Sequence, residues 1–308
     1  SHRATSGLAD QPRLKHGRSP PEEMFPAGDS RYTTSYLTLE LTSGPTVIRA
    51  IELGDRAAAR VVVCVHGWAC SVYSFRRLMP MLAARGMRAV AIDLPGHGLS
   101  DKPGDPALYT LDAQVECVLA AMDALGIERA LLAGHSMGGP ICARAAVVAP
   151  ARVTALALLA PVGFGTEWEM WMLRAVTPRV IAPLLPHLLK RWMFALVLDF
   201  AYGKLVRATS RDVDEYWAPT QFPGFVRAMW DLLHLFEWSA GTGQGLVTIA
   251  VPVAGIDGTR DNFVVRRWVR RYAQVLGNAS FTTVRDCGHL VPEEAPEVVA
   301  EAIGALTR

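Results

Sequence analysis

The sequence predicts an α/β fold: a mainly parallel central sheet flanked by helices, with a helical lid inserted into it. Short, continuously apolar runs recur along the chain, and such runs are typical of strands buried on both faces. Segments with helical periodicity separate these runs, and this alternation indicates a parallel sheet. Residues 162–246 show no strand pattern, so we expect them to form the lid.

Each element follows from the local pattern. Residues 1–31 are rich in Pro, Gly, Ser and charge, which predicts a flexible tail or a surface arm. Alternating residues on either side of a turn at Ser43–Pro45 predict an antiparallel hairpin, with strands Tyr36–Leu41 and Val47–Leu53. The buried strands that we predict next are Val61–Val65, Ala89–Ile92, Ala130–Ala133, Ala155–Ala160 and Val251–Ile256. The predicted helices are Ser74–Arg85, Leu111–Leu125, Met137–Val148, Val264–Leu276 and Glu293–Leu306.

The lid divides the predicted core into residues 32–161 and 247–308. It carries six of the eight tryptophans, several prolines that divide it into short helices, and a glycine-rich return hinge at 241–245. This density of aromatic side chains indicates an apolar pocket beneath the lid. The residues that we expect to line this pocket are Trp68, Trp168, Trp171, Trp192, Phe222 and Trp230.

Composition excludes several classes of protein. A net charge of +2 gives no reason to expect a nucleic-acid partner, and 51% apolar with 19% charged residues is unlike a disordered chain. The five cysteines are spread without a CxxC pair, which argues against a disulfide framework or a zinc site and favours reduced thiols in the cytoplasm. The longest uncharged apolar run, residues 153–166, is shorter than the ~20 residues of a membrane span. The N-terminus has no apolar signal core.

The strongest chemical signal is the pentapeptide from Gly134 to Gly138, which reads Gly-His-Ser-Met-Gly. It follows a predicted strand and precedes a predicted helix, which is the setting of a nucleophile elbow. Small residues two positions before and after Ser136 allow the tight turn that exposes the serine hydroxyl. We therefore expect Ser136 to be a nucleophile.

A serine nucleophile needs a base and an orienting acid. His289 follows the last apparent strand, so its loop can bring the imidazole to the carboxyl ends of the strands. Two carboxylates compete for the third position: Asp257 lies nearer the end of its strand, and Asp261 lies at the tip of the loop. Loop position favours Asp261. The order Ser136, Asp261, His289 is that of an α/β-hydrolase triad.

The oxyanion of an acyl-transfer reaction needs two hydrogen-bond donors. The backbone N–H of Met137 directly follows the predicted nucleophile. The backbone N–H of Trp68 follows a buried strand and a His66-Gly67 pair, and we expect it to be the second donor. Cys70 lies two residues further on and is interpreted as a packed thiol.

These residues resemble the α/β-hydrolase superfamily, in particular its lid-bearing esterase and haloperoxidase-like branch. The matching pieces span residues 36–308 and stand in the family's order. They are His66-Gly67-Trp68, the turn from Asp93 to Ser100, Gly134 to Gly139, Gly258 to Asp261, and Gly288-His289. The resemblance implies that the acid lies three residues after Gly258, at Asp261, and that the second oxyanion donor is Trp68. It also implies that Asp93 and His97 are structural.

The resemblance implies a serine hydrolase that cleaves a carboxylic ester through an acyl-enzyme, without a metal or organic cofactor. The aromatic lid suggests a hydrophobic substrate of moderate size. Relatives that cleave epoxides or haloalkanes place Asp at the nucleophile position, where this chain has Ser136. The alternatives are a C–C bond hydrolase of the meta-cleavage type, a perhydrolase, and a non-catalytic ligand receptor. A lipase at a membrane surface is a further alternative, although no basic amphipathic helix is evident from the sequence.

Overall fold

The computed structural model describes residues 23–164, 167–177, 189–239, 245–264 and 266–306. The strands are β1 Thr33–Leu41, β2 Gly44–Leu53, β3 Val61–Val65, β4 Arg88–Ile92, β5 Ala130–His135, β6 Val153–Leu159, β7 Val253–Gly258 and β8 Ala279–Val284. The helices are α1 Leu78–Ala84, α2 Leu111–Ala124, α3 Gly138–Val148, α4 Glu167–Val176, α5 Arg191–Ala201, α6 Ser210–Trp217, α7 Phe225–Leu235, α8 Arg266–Val275, α9 Val291–Glu294 and α10 Pro296–Leu306.

The strands form one sheet in the order β1-β2-β4-β3-β5-β6-β7-β8. The β1–β2 hairpin is antiparallel, and β2 pairs antiparallel with β4. The pairs from β4 to β8 are all parallel. The carboxyl ends of these six strands therefore meet at one edge of the sheet, and the loops that leave this edge can be brought together.

The hydrophobic core lies on both faces of the sheet. In β3, Val63 and Val65 pack on one face while Val62 and Cys64 pack on the other. Helices α2, α3 and α8 cover the first face, and α1 and α10 cover the second. This two-sided burial is the reason that the central strands are continuously apolar rather than alternating.

Helices α4 to α7 lie between β6 and β7, so the predicted helical insertion is present. We call these helices, together with the described residues between them, the cap. Of the predicted return hinge at 241–245, only Gly245 lies within the described residues; it adopts a φ of 107°. Among the residues that the structure describes, no helix has the length and apolar character needed to cross a membrane.

Prolines change two of the predicted boundaries. The helix predicted from Glu293 is divided between α9 and α10, because Ala295 precedes Pro296 and adopts an extended φ of −134°. The strand predicted from Val251 begins at Val253, directly after Pro252, whose nitrogen has no hydrogen to donate.

The arm predicted for residues 1–31 is packed at its C-terminal end. Met24 is buried, and the Phe25 amide donates to the Glu215 carboxylate on α6 at 2.8 Å. Residues 1–22 lie outside the described part of the chain.

A buried ionic network joins the cap to the core. Arg76 donates to Glu293 on α9 at 2.5 Å and to Asp212 on α6 at 2.6 Å. Two tyrosines of the cap, Tyr202 and Tyr216, also donate to Glu293. Both carboxylates are buried, so water cannot solvate their negative charge. The guanidinium of Arg76 is the cation that compensates for this charge.

Replacing Arg76 by Leu is expected to destabilise the fold by about 3–5 kcal/mol, because it leaves two buried carboxylates without their cation. The matched control is Arg144→Leu, which breaks a solvent-exposed pair with Asp112 and is expected to cost less than about 1 kcal/mol. Urea unfolding followed by circular dichroism measures both. Equal losses in the two variants would contradict the importance of the buried network.

Candidate active site

The turn after β5 holds Ser136 in a strained conformation. Ser136 has a φ of +52°, a region that residues with a side chain rarely adopt. The backbone is crowded on both sides of the turn. A Cβ on Gly134 would lie 2.2 Å from the Gly138 carbonyl oxygen, and a Cβ on Gly138 would lie 2.1 Å from that of Val65. The glycines of the motif are therefore required by close backbone approach.

The loop after β8 brings His289 to this turn. His289 Nε2 lies 3.0 Å from Ser136 Oγ, and His289 Nδ1 lies 2.8 Å from Asp261 Oδ2. The other oxygen of Asp261 accepts the backbone N–H groups of Phe263 and Val264, each at 2.8 Å. Burial favours a higher pKa for Asp261, but His289 and these two amides outweigh it and hold the pKa below its ordinary value.

Asp257, the other candidate acid, has different partners. Its carboxylate accepts the Thr283 hydroxyl at 2.7 Å and lies 3.6 Å from Arg266 Nε. The structure therefore brings Asp261, and not Asp257, into contact with His289. The reason is the loop after β7, which turns the chain back toward the sheet edge beyond Gly258.

Glu294 holds the backbone next to His289, a contact that the sequence analysis missed. Its carboxylate accepts the N–H of Gly288 and the N–H of Gly203 in the cap, each at 2.8 Å. The His289 N–H in turn donates to the carbonyl of Ala201 at the end of α5 at 2.8 Å. Burial is the main cause that raises the pKa of Glu294 to about 7. The available signal was the pair of acidic residues shortly after His289, which was interpreted only as the start of a helix.

The two predicted oxyanion donors follow strands at the same edge. Gly67 lies against the nucleophile turn, since a Cβ on it would come within 2.9 Å of Ser136 Cβ, and Trp68 is the next residue. Within the described ranges, neither the Trp68 nor the Met137 backbone N–H has a hydrogen-bond acceptor in the protein. Both amides are thus available to a ligand at Ser136.

His135 binds the backbone of His289 through a hydrogen bond. Its Nε2 lies 2.9 Å from the carbonyl oxygen of His289, so this nitrogen carries the proton that is donated. Its Nδ1 is buried without a partner among the described residues. Burial chiefly, and then the neighbouring His289, lower the pKa of His135 to about 3.

The turn from Asp93 to Ser100 is structural. Asp93 is fully buried and accepts Arg49 Nε at 2.7 Å together with the N–H groups of Val72 and Leu99 at 2.8 Å. His97 is also fully buried, and its Nδ1 donates to the Pro95 carbonyl. Neither residue contacts the Ser136 hydroxyl.

An apolar cavity of about 200 Å³ lies between the cap and the segment that follows β3. Its walls come from the segment after β3 and from helices α4, α5 and α7. The lining residues are Trp68, Ala69, Leu173, Thr177, Leu189, Phe194, Phe225, Val226, Met229, Trp230 and Leu233. Trp68 directly follows Gly67, which packs against the turn at Ser136, whereas neither Ser136 nor His289 is among the lining residues.

The structure corrects half of the predicted pocket residues. Trp68 and Trp230 line the cavity, but Trp171 and Trp192 point outward and are more than half exposed. Phe222 is buried away from the cavity, beneath Met24 and the Lys102 ammonium, whose nitrogen lies 5.0 Å from its ring centroid. The side chain of Trp168 lies outside the described residues. Which aromatic residues face inward depends on how each short helix is rotated about its axis. The prolines interrupt the periodic pattern, so the sequence does not show this rotation.

All five cysteines are free thiols, and burial raises the pKa of Cys64, Cys70 and Cys117 to about 12. A thiol with such a pKa is a poor nucleophile at neutral pH. Across the described ranges, no three His, Cys, Asp or Glu side chains cluster as metal ligands.

Comparison with known families agrees with this arrangement. The model of the alpha/beta hydrolase fold family matches residues 60–296. The chain belongs to this family. An uncharacterized hydrolase of Bacillus subtilis, YugF, is 29% identical over 79% of this chain and 88% of its own length. A component of the acetoin cleaving system of Pseudomonas putida, a dihydrolipoyllysine-residue acetyltransferase, is 42% identical, but over only 40% of this chain and 32% of that protein.

Solved structures share the fold across nearly the whole hydrolase. Cfl2 of Burkholderia cenocepacia has a TM-score of 0.77 at 24% identity, covering 91% of this chain and 98% of that one. A meta-cleavage product hydrolase of Pseudomonas fluorescens has a TM-score of 0.69 at 20% identity, covering 88% and 97%. A haloalkane dehalogenase of Bradyrhizobium elkani has a TM-score of 0.71 at 22% identity, covering 90% and 99%. At these identities the likeness concerns the fold alone.

The stability of this hydrolase is expected to fall with decreasing pH in part through His135. Between pH 6.5 and about 3, the unfolded chain binds a proton at this position that the folded chain does not. Acidification therefore favours unfolding, by about 1.4 kcal/mol per pH unit. His135→Gln is expected to reduce this slope. Urea unfolding of both proteins at pH 7 and pH 5 measures it, and parallel slopes would show that His135 is protonated in the folded state.

Proposed function

We propose that this protein is a serine hydrolase that cleaves a carboxylic ester of a hydrophobic, moderate-sized substrate through an acyl-enzyme. The observation that carries the proposal is the continuous hydrogen-bonded chain from Ser136 Oγ through His289 to Asp261, at 3.0 and 2.8 Å. Nucleophile, base and orienting acid in this order form the arrangement needed for acyl transfer.

Each residue then has a role in the reaction. Ser136 Oγ attacks the ester carbonyl carbon and its proton moves to His289 Nε2, while Asp261 stabilises the resulting imidazolium. The N–H groups of Trp68 and Met137 bind the oxyanion of the tetrahedral intermediate, each contributing about 3 kcal/mol. Collapse breaks the carbonyl carbon–alkoxy bond, and His289 returns the proton to the leaving alcohol. Water repeats these steps on the acyl-enzyme and releases the acid.

A serine nucleophile distinguishes the proposed ester hydrolysis from the hydrolysis of haloalkanes. Attack of a serine hydroxyl on a saturated carbon forms an ether, and water does not hydrolyse an ether at neutral pH. Attack on a carbonyl carbon forms an ester, which the same His289 can hydrolyse by activating water. Ser136 therefore supports substrates that carry an acyl carbon.

The character of the cavity supports a hydrophobic substrate of moderate size. Its lining is apolar apart from Thr177, so it suits the hydrocarbon part of an ester rather than a charged group. An apolar cavity of ~150 Å³ holds a benzene ring. By this comparison, a cavity of about 200 Å³ accommodates an acyl or aryl group of roughly six to eight carbons.

Hydrolysis of a p-nitrophenyl ester series from acetate to decanoate tests the proposal. The kcat/KM is expected to be highest for acyl groups of about six to eight carbons, because these fill the apolar cavity. Ser136→Ala is expected to lower kcat on the order of 10⁶-fold. A folded wild-type protein without serine-dependent turnover of any ester would refute ester hydrolysis. Vinylogous diketones and hydrogen peroxide would then test the C–C hydrolase and perhydrolase alternatives, and saturable binding without turnover would indicate a receptor.

The choice of acid is tested by two isosteric variants. Asp261→Asn is expected to lower kcat by about 10⁴-fold, because the amide favours the wrong tautomer of His289. Asp257→Asn is the matched control four residues away, and its kcat is expected to stay within about tenfold of the wild type. The opposite ranking of the two variants would assign the role to Asp257.

A further inference from the structure

Helix α5 of the cap is apolar on two opposite faces. Its inner face buries Leu198 and Ala201 against Val213 of α6 and Leu290 beside His289. Its outer face carries Trp192, Leu196 and Phe200, which are 62%, 59% and 52% exposed. The spacing i, i+4, i+8 places these three side chains in one stripe along the helix, about 180° from the buried residues.

A helix that is apolar all round is ordinarily buried on all sides. The outer stripe is continuous and is extended by Val197, which is 51% exposed. Contiguous apolar surface of this kind, bordered by polar residues, marks a surface that binds a partner or a membrane.

The described segments that directly precede and follow α5 carry basic and no acidic side chains, from Leu189 to Lys190 and from Tyr202 to Thr209. Lys190 directly precedes α5, and Lys204 and Arg207 follow it; all three are exposed. Lys204 lies near enough to Asp286 to contribute to the lowered pKa of that carboxyl. Arg191 is neutralised by Asp214 at 2.6 Å. The one acidic side chain of α5, Asp199, is exposed and lies on the outer face, seven positions after Trp192 and three after Leu196. Basic residues before and after an apolar stripe complement a surface that has an apolar interior and an anionic outer layer.

We propose that the outer face of α5 docks on the surface of an anionic lipid bilayer, with the helix lying in the plane of the interface. Trp192 supplies an aromatic ring suited to the headgroup region, Leu196 and Phe200 enter the acyl boundary, and the flanking cations contact anionic headgroups. The proposal concerns binding alone and is independent of the ester chemistry proposed above.

Two other occupants fit the stripe less well. The chain's own first 22 residues contain only two large apolar side chains, Leu8 and Leu14, and an excess of basic residues, so they match neither its apolar character nor its charge. A second copy docked across a two-fold axis with antiparallel α5 helices would bring Lys190 of one copy toward Lys204 and Arg207 of the other. Like charges would then face each other across the interface.

The docking face is continuous with the candidate active site. The ring of Phe200 lies 5.2 Å from that of Phe263, and Phe263 lies 5.2 Å from the imidazole of His289. The side chain of Asn262 donates to the Phe200 carbonyl at 2.8 Å. A bilayer bound at α5 would therefore lie beside the triad rather than on a remote surface.

Vesicle flotation with the full chain tests the proposal. The protein is expected to float with vesicles of phosphatidylcholine and phosphatidylglycerol, to float less with phosphatidylcholine alone, and to be released by salt. Leu196→Glu is expected to weaken binding at least about tenfold. Neutralising Lys190 or Arg207 with Gln is expected to weaken it about fivefold for each charge.

The matched control is Val247→Glu, which places the same charge on a side chain that is 75% exposed in the turn Leu246–Thr248, packed on α3 of the core. It is expected to bind vesicles like the wild type, and thermal unfolding verifies that both variants fold. Absence of flotation with anionic vesicles, or equal losses in Leu196→Glu and Val247→Glu, overturns the proposal. Dimerisation in analytical ultracentrifugation that Leu196→Glu abolishes, without vesicle binding, would assign the face to a second copy.

Discussion

The close approach of three backbone segments around Ser136 is the constraint on which the candidate site depends. Gly134 faces the Gly138 carbonyl, and Gly138 faces the carbonyl of Val65, at distances that no side chain could occupy. This contact holds the end of β5, the start of α3 and the end of β3 together. The positive φ of Ser136 persists because the surrounding sheet leaves the turn no alternative. The serine hydroxyl and the amides of Trp68 and Met137 consequently come from one rigid unit.

The histidine side of the site is held by buried carboxylates. Glu294 binds the amides of Gly288 and Gly203, so the loop that carries His289 and the segment that follows α5 share one anchor. Its neighbour Glu293 binds Arg76 and two tyrosines of the cap. A buried carboxylate destabilises the folded protein unless it accepts hydrogen bonds and its charge is compensated. The same short helix, α9, therefore positions the loop that carries His289 and joins it to the cap.

The cap separates two apolar environments. On its inner side, Phe194 of α5 and Trp230 of α7 line the apolar cavity that also contacts Trp68. On its outer side, Trp192 and Leu196 of the same helix α5 are exposed. One helix with two apolar faces joins the space proposed for the substrate to the surface proposed for a lipid bilayer. Its C-terminal end contacts the loops of both Asp261 and His289 through the carbonyls of Phe200 and Ala201.

The sequence by itself determined the α/β class, the inserted helical cap and the family. It did so because buried parallel strands are continuously apolar and because the turn at Ser136 admits only small residues at Gly134 and Gly138. These are local constraints, so they are visible in a short window of sequence. The same applies to the candidate positions Ser136 and His289, since each directly follows a strand and so lies at a known edge of the sheet.

The sequence favoured Asp261 over Asp257, but only the tertiary structure shows that Asp261 meets His289. The tertiary structure alone decided which aromatic residues face the cavity. Asp257 and Asp261 differ by four residues, and only the path of the loop after β7 brings Asp261 within 2.8 Å of the imidazole. Trp192 and Trp230 both lie in the cap, but the packing of α5 and α7 turns one toward solvent and the other toward the cavity. Both outcomes depend on contacts between segments far apart in the chain, such as Trp68 with Met229, and long-range contacts of this kind leave no periodic pattern in the sequence.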